Sequence, residues 1–579
     1  MTRLLERVRD PSELRALPDD ALPALCQELR EEIIRICGKV GGHLGASLGA
    51  VELIVALHRV FKSPRDRIVF DVGHQAYAHK ILTGRRERMD TLRQEGGIAP
   101  FLDPAESPHD AFGAGHACTA ASIALGMLEA KAHLGEGGHS IAVIGDGGLT
   151  GGLTFEALNN AATARAPLLI VLNDNQMSIS VNVGAVSRLL RGTEARAFFE
   201  AMGFNYLGPL DGHDLPALVA AFREARRSYK PIVVHARTEK GKGLPEAEAD
   251  PHTRGHAMGP FEWRDGKLVR SRHGQRTFSE TLAQALEERM ARDPRVVAVT
   301  PAMIEGSALT SIRDRFPDRL YDVGIAEPHA VAFCAGLAAS GLRPVCAIYS
   351  TFLQRAIDQV IHDVCLPRLP VVLAVDRAGL VGADGATHQG TFDVAFLRAI
   401  PNMTVMAPVV GEDLASMLDT ALELSAPVAL RFPRLTVPEL PPELAQADAS
   451  PRGARWLQRS QDPELAIVSL GIASLAALQA ARGRPRWSVL DARYAWPLDR
   501  AAVLEAALAG RVLTVEEGTV RGGLGSAVLE LLAEAGVRAD VRMLGLPEAF
   551  VRHGDARLQR AKLGLDAGGI RAAAEALLG

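Results

Sequence analysis

The sequence predicts an α/β protein built from three parallel-sheet blocks, and three observations carry that expectation. Apolar runs of strand length alternate with helical stretches along the whole chain. Several of these runs stop at glycines, acids and amides, as buried parallel strands do where they deliver loops to a ligand-binding edge. A polar stretch at 264–275 and a proline-rich stretch at 433–452 interrupt the alternation and read as linkers. The blocks are therefore placed at 1–270, 276–435 and 455–579.

The first block opens with a helical region at 22–37 and closes with a strand beginning at Pro231. Between them lies its most informative pair of residues, Asp146 and Asn175, 29 positions apart. One apolar run, 140–145, stops at Gly145-Asp146-Gly147-Gly148, and a second, 168–172, stops at Asn173-Asp174-Asn175. A helical stretch at 153–163 connects them, so a right-handed crossover brings both strand ends to one edge of the sheet. A carboxylate, an amide oxygen and a nearby backbone carbonyl, that of Met177, make a hard oxygen set suited to Mg²⁺ shared with phosphate. Gly147 and Gly148 allow backbone N–H groups to approach a diphosphate. This pattern resembles the diphosphate-anchoring motif of thiamine diphosphate enzymes. The third glycine of a dinucleotide fingerprint is absent from Gly145-x-Gly147-x-x-Thr150, and no Gly-Lys-Ser/Thr occurs to make a nucleotide P-loop.

The second block begins at Thr277-Phe-Ser-Glu, a helix start, and continues through strands at 296–300, 344–349 and 370–376. The third repeats short strands at 465–470, 487–490 and 512–515 between alanine-rich helices.

Composition excludes several classes of partner. The 579 residues are 47% hydrophobic, ample for a core, and the net charge of −4 comes without a long Lys/Arg block. Nucleic acid is therefore not expected as a partner. The first residues lack a signal-peptide apolar region, and the nearest candidate span, 330–342, is short and broken by glycine. No membrane is expected, and a cytoplasmic location is. The six cysteines show no metal-type spacing and read as buried thiols.

Five further motifs resemble the 1-deoxy-D-xylulose-5-phosphate synthase family of transketolase-like enzymes. They are Gly41-Gly-His-Leu-Gly-Ala-Ser-Leu-Gly49, the stretch from Asp71-Val-Gly-His74 to Arg86, Asp322-Val-Gly-Ile-Ala-Glu-Pro-His329, Tyr349-Ser-Thr-Phe352 and its continuation to Gln359, and Asp376-Arg-Ala-Gly through His388. The resemblance implies a transketolase-like thiamine diphosphate-binding fold and a homodimer, with the cofactor held between the first and second domains. It implies condensation of pyruvate with D-glyceraldehyde 3-phosphate and loss of CO₂, feeding isoprenoid, thiamine and pyridoxal synthesis.

Roles follow from the same resemblance. Glu327 is the carboxylic acid expected against N1′ of the cofactor pyrimidine, buried and with a raised pKa. Phe352 is expected to stack on that ring. His43 and His74 line the reacting centre, with His74 also near the cofactor phosphates. Gly115, His116 and Ala117 precede a helical run and offer backbone N–H groups to the diphosphate. His388 exchanges protons with substrate oxygens, and Tyr349 and Asp384 orient them. Arg377 and Arg431 are expected on the pyruvate carboxylate and the acceptor phosphate, with Arg434 the alternative for the latter. His79 and His329 have weaker claims.

Departures from the family's usual pattern accompany the match. The usual His-Leu-Ala-Ser-Ser is His43-Leu-Gly-Ala-Ser47 here, and Asp250-Pro-His-Thr-Arg-Gly-His256 carries one extra residue before His256. Pro328 replaces a usual glutamine, and Leu435 a usual glycine. After Gly184 the chain runs almost directly to Ala201, where the family carries an insert, so this is either a natural short form or a trimmed one. Two alternatives stand beside the synthase: another thiamine-dependent carbon–carbon transferase, and a non-catalytic cofactor-binding paralogue.

Overall fold

The computed structural model describes residues 3–164, 166–264, 267–270, 274–439 and 453–579. They fall into two compact units, one within Met1–Arg272 together with Gly324–Ala326 and one within His273–Val323 together with Glu327–Gly579.

In the first unit, strands β1 (Arg67–Phe70), β2 (Ser140–Gly145), β3 (Leu169–Asp174), β4 (Asn205–Asp211) and β5 (Ile232–Arg237) form one sheet in the order β1-β2-β3-β5-β4, parallel throughout. Every residue of β3 is buried, which is why its sequence lacks polar alternation. Each fully buried Leu, Ile or Val there is worth about 1.5–3 kcal/mol over leaving it in water. Gly145 at the end of β2 pairs with Asn173 on β3, so Asp146 and Asn175 leave the sheet at the same edge. The connecting helix is Gly152–Ala161, and the opening helix is Leu22–Val40.

The polar stretch at 264–275 is not simply a linker. Strands β6 (Phe261–Arg264) and β7 (Lys267–Arg270) form an antiparallel hairpin there. Phe261 and Leu268 pack on the first core while Glu262 and Val269 face out, a period-2 pattern hidden by the surrounding charge. Positions 265–266 and 271–273 of that stretch, and 440–452 of the proline-rich one, lie outside the described residues.

The second unit contains β8 (Val296–Thr300), β9 (Leu320–Asp322), β10 (Arg343–Tyr349), β11 (Val372–Asp376), β12 (Thr404–Met406), β13 (Val428–Arg431), β14 (Arg455–Gln458), β15 (Leu465–Ser469), β16 (Trp487–Asp491), β17 (Tyr494–Trp496), β18 (Arg511–Thr519) and β19 (Asp540–Leu546). They build a seven-stranded sheet, β17-β12-β13-β11-β10-β8-β9, and a five-stranded sheet, β14-β16-β15-β18-β19. Both are parallel except at β12–β17 and β14–β16. β17 follows β16 in sequence yet joins the larger sheet, so the second and third sequence blocks are interlocked by a crossing strand. The buried Arg455 adds to this, bonded to Asp413 of one block and Asp491 of the other. The helix Phe278–Arg292 starts at Thr277 with a full capping box, as the Thr-Phe-Ser-Glu sequence predicts.

Among the described residues no helix is long and apolar enough to cross a membrane; the stretch at 330–342 lies largely in the helix Glu327–Ala339 and contributes to the core. All six cysteines are free and buried.

Candidate active site

In the first unit, the ends of β2 and β3 bring the proposed oxygen ligands together. The Asn175 N–H lies 3.4 Å from Asp146 Oδ1, and the Asn182 side-chain amide donates to Asp146 Oδ2 at 2.7 Å. Met177 N–H donates to Asn175 Oδ1 at 3.0 Å, closing a tight loop after the strand. Asp146 is buried, and burial followed by repulsion from the neighbouring Asp174 pushes its carboxyl up to about 8. Two buried acids on adjacent strand ends are the charge arrangement a divalent cation relieves. No cluster of three His, Cys, Asp or Glu suited to a metal occurs among the described residues. The donor set here instead relies on amide and carbonyl oxygens, which suits Mg²⁺ rather than zinc.

Sequence reading missed the residues that shape this edge. One oxygen of Asp174 bonds His235 at 2.9 Å, and His235 also bonds the Tyr206 hydroxyl, while the other accepts from Gln176 N–H at 3.2 Å, so a buried chain of partners fixes this carboxylate. Asp71, at the end of β1, accepts from the N–H groups of Cys118, Thr119 and Ala120 at 2.9, 3.0 and 3.2 Å. It thereby takes up the N–H groups of the N-cap Thr119 and of Ala120 at the start of the helix Ala120–Leu134. The Asp71 carboxylate also explains Gly148: a Cβ there would collide with Asp71 Oδ2. At Gly147 a Cβ would come within 3.0 Å of Ser178 and 3.2 Å of Asn182, narrowing the space in front of Asp146.

Three histidines gather on neighbouring loops of the same unit. Ring centroids are 6.1 Å apart for His43–His74, 5.7 Å for His43–His256 and 5.3 Å for His74–His256. His256, beyond the longer loop, joins the other two. The His43 N–H donates to the Tyr77 hydroxyl, and the Ser47 hydroxyl to the His74 carbonyl, tying the 41–49 and 71–80 segments together. Burial, then the charge of Lys240, pushes His74 down to about 3, and the same two causes hold His256 well below the usual histidine value. Both are neutral imidazoles at pH 7. Their Nδ1 atoms are buried without a hydrogen-bond partner, as expected of groups shaped for a ligand. His79, by contrast, is enclosed by Asp110 and His58 and has a structural role.

In the second unit, Glu327 is the first residue of the helix Glu327–Ala339, following β9, and is 3% exposed. Burial raises its carboxyl above the usual value, against the opposing charge of Arg355, whose Nη1 lies 3.2 Å from Glu327 Oε2. That oxygen still lacks a hydrogen-bond partner of proper geometry. A buried acid with a raised pKa and an oxygen that makes no hydrogen bond fits a ring nitrogen.

The remaining second-unit candidates form one cluster at the ends of β10 and β11. Tyr349 stacks on Phe352 at 5.4 Å, and His388 meets Phe352 edge-on at 5.5 Å. A pyrimidine stacked on Phe352 would thus use the face opposite Tyr349. Arg377 lies 4.0 Å from the Tyr349 ring centroid and donates to its hydroxyl. Asp384 pairs with Arg434 at 2.8 Å. Glu517, from β18, holds the loop carrying Asp384 and His388 by accepting from Leu380 N–H at 3.1 Å, and is itself clamped by Arg560.

Arg431 requires a correction. It is buried, its Nε donates to the fully buried Asp393 at 3.0 Å and its Nη2 to the Glu517 carbonyl at 3.2 Å. Its guanidinium is enclosed by these partners, whereas Arg434, paired with Asp384, keeps a side chain that is 46% exposed. Arg431→Ala should lower stability by about 3–5 kcal/mol, by leaving Asp393 uncompensated, as read by denaturant unfolding. Arg434→Ala should instead leave stability unchanged and cost roughly 10- to 150-fold in kcat/KM for a phosphorylated acceptor relative to its unphosphorylated analogue. Equal losses for both acceptors would remove Arg434 from the phosphate.

Comparison with known proteins identifies the family. The family model described as 1-deoxy-D-xylulose-5-phosphate synthase matches residues 5–197 and 193–238. Those for the transketolase pyrimidine-binding and C-terminal domains match 275–439 and 454–570. A 1-deoxy-D-xylulose-5-phosphate synthase of Myxococcus xanthus (strain DK1622) is 69% identical over 578 residues, covering 100% of this chain and 99% of its own. The chain belongs to the 1-deoxy-D-xylulose-5-phosphate synthase family. A second synthase, from Anaeromyxobacter sp. (strain Fw109-5), is 50% identical over 628 residues, again covering 100% of this chain and 99% of its own. The longer alignment shows that relatives differ in length. The synthase match falls into two pieces that overlap at 193–197, between and at the start of the short helices Gly184–Arg191 and Ala195–Ala201. The Myxococcus relative aligns without the extra length, so the short connection is a natural form shared between them.

Proposed function

We infer that this chain joins pyruvate to D-glyceraldehyde 3-phosphate with release of CO₂, giving 1-deoxy-D-xylulose 5-phosphate, with thiamine diphosphate as cofactor. The observation that carries the reading is Glu327, a buried acid whose carboxyl burial raises above the usual value against the opposing charge of Arg355, and whose Oε2 makes no hydrogen bond. A protein that only bound the cofactor would have no use for that costly group.

When bound, thiamine diphosphate supplies a carbon acid that adds to the keto group of pyruvate and takes up the electron pair released with CO₂. Asp146, Asn175 and the Met177 carbonyl would hold Mg²⁺, and Gly147, Gly148 and Gly115–Ala117 would leave room for diphosphate oxygens. Glu327 would offer a proton to a ring nitrogen of the cofactor, and Phe352 would pack on that ring. His74 and His256 offer neutral imidazoles, and His43 a third ring beside them, to give or take protons at substrate oxygens. Arg377, set by Tyr349, receives the pyruvate carboxylate. Arg434 receives the acceptor phosphate, while Asp384 and His388 orient its hydroxyl and carbonyl oxygens. We place these roles in three functional domains, 1–270, 276–435 and 455–579, of a cytoplasmic homodimer that supplies isoprenoid synthesis.

Incubation with pyruvate, D-glyceraldehyde 3-phosphate, thiamine diphosphate and Mg²⁺ should give CO₂ and a product of the mass of 1-deoxy-D-xylulose 5-phosphate. Turnover of xylulose 5-phosphate without pyruvate would favour a transketolase instead.

A further inference from the structure

Gly45 and the 250–256 loop meet in space. A Cβ on Gly45 would fall on the Arg254 carbonyl oxygen, far inside the 3.0 Å that such atoms keep, with Arg254 C at 3.1 Å and Gly255 C at 3.2 Å. The obstacle is backbone, with no flexible side-chain tip to move aside. The Gly45 N–H donates to the Gly255 carbonyl at 2.9 Å, and Gly42 exchanges two hydrogen bonds with Met258 at 2.8 and 2.9 Å. Arg254 and Gly255 both adopt left-handed backbone, φ 47° and 66°, folding the loop back so that His256 reaches His43 and His74. Asp250 starts the fold by accepting from His252 N–H and from the Thr253 hydroxyl.

We propose that Gly45 is a positioning residue: its missing side chain is the socket that seats the Arg254–Gly255 backbone and thereby sets His256 against His43 and His74. The two departures from the family's usual pattern, glycine at 45 and the extra residue before His256, are then one compensated change. A loop longer by one residue needs the volume that an alanine methyl group would fill. The proposal deepens the functional reading and rests on it for the role of His256, though the docking itself does not depend on activity.

Two measurements on Gly45→Ala test this. In the cofactor-free protein, the amides of residue 45 and Met258 should lose hydrogen-exchange protection while the sheet amides of β2 and β3 keep theirs. In the loaded enzyme, displacing His256 by on the order of 1 Å should cost about 10²-fold in kcat. Gly126→Ala, in the helix Ala120–Leu134 with nothing within 4 Å of the added Cβ, controls for glycine replacement and should change neither. Deleting Arg254 in the Gly45→Ala background should restore at least about tenfold of the lost rate. Retention of both Met258 protection and rate in Gly45→Ala overturns the proposal, as does loss of rate with protection intact. Failure of the deletion to rescue overturns the compensation. If the wild-type chain forms no 1-deoxy-D-xylulose 5-phosphate while Met258 still loses protection, the functional reading fails and the docking stands.

Discussion

Glu327→Gln should retain thiamine diphosphate yet slow exchange of the cofactor's C2 hydrogen by at least roughly 10²-fold, with product formation falling in parallel. The amide matches the carboxyl group in shape but cannot give up a proton to the ring nitrogen. The same substitution has an opposite effect on stability, which separates a lost acid from a damaged fold. Burial raises the Glu327 carboxyl above its usual 4.5 in the folded protein. Between pH 4.5 and that raised value, the native state keeps a proton that the unfolded chain has lost. Stability therefore falls as pH rises through this window. A neutral glutamine removes that loss, so the cofactor-free variant should melt at or above the wild-type temperature at pH 8, with the gap closing near pH 4.5. Wild-type exchange of the C2 hydrogen would exclude Glu327 as the acid. A lower melting temperature across the whole pH range would mean that the ion pair with Arg355 outweighs the burial of Glu327.

What could be read from sequence depended on how far away each residue's determining partner lies. Asp146 and Asn175 were legible because each terminates its own buried strand, and a right-handed crossover leaves one place for both ends. The histidine cluster was legible from motifs that each fold locally, and it includes His256 despite the longer loop. Arg431 was misread for the opposite reason. It stands at a strand end, as an anion-binding arginine should, but Asp393 and the Glu517 carbonyl, remote in sequence, decide where its guanidinium points. Asp71 was passed over because its role is to cap a helix 49 residues away. The hairpin of β6 and β7 was hidden by charge, and no local pattern could assign β17 to the larger sheet. Its three residues carry the signal of any short strand.

Asp146→Ala should abolish Mg²⁺-dependent retention of thiamine diphosphate, weakening it by at least about 10²-fold, because loss of a direct ligand should cost at least as much as loss of an outer partner. Calorimetric titration of the cofactor, with and without Mg²⁺, measures this directly. A thermal counterpart follows from mass action. At a free cofactor concentration 100 times its Kd, binding stabilises the wild-type protein by about 2.7 kcal/mol, and the variant should gain almost nothing at the same concentration. The ligand-free proteins should differ in the other direction or not at all. In the wild type two acids, Asp146 and Asp174, are buried beside each other, and removing one relieves their repulsion at the cost of one hydrogen bond from Asn182. A variant that folds as well as the wild type, yet no longer responds to Mg²⁺ and cofactor, locates the metal at the β2 and β3 strand ends. Unchanged affinity for the cofactor in the presence of Mg²⁺ would move the diphosphate away from Asp146, and the assignment of Asn175 and Met177 would fall with it.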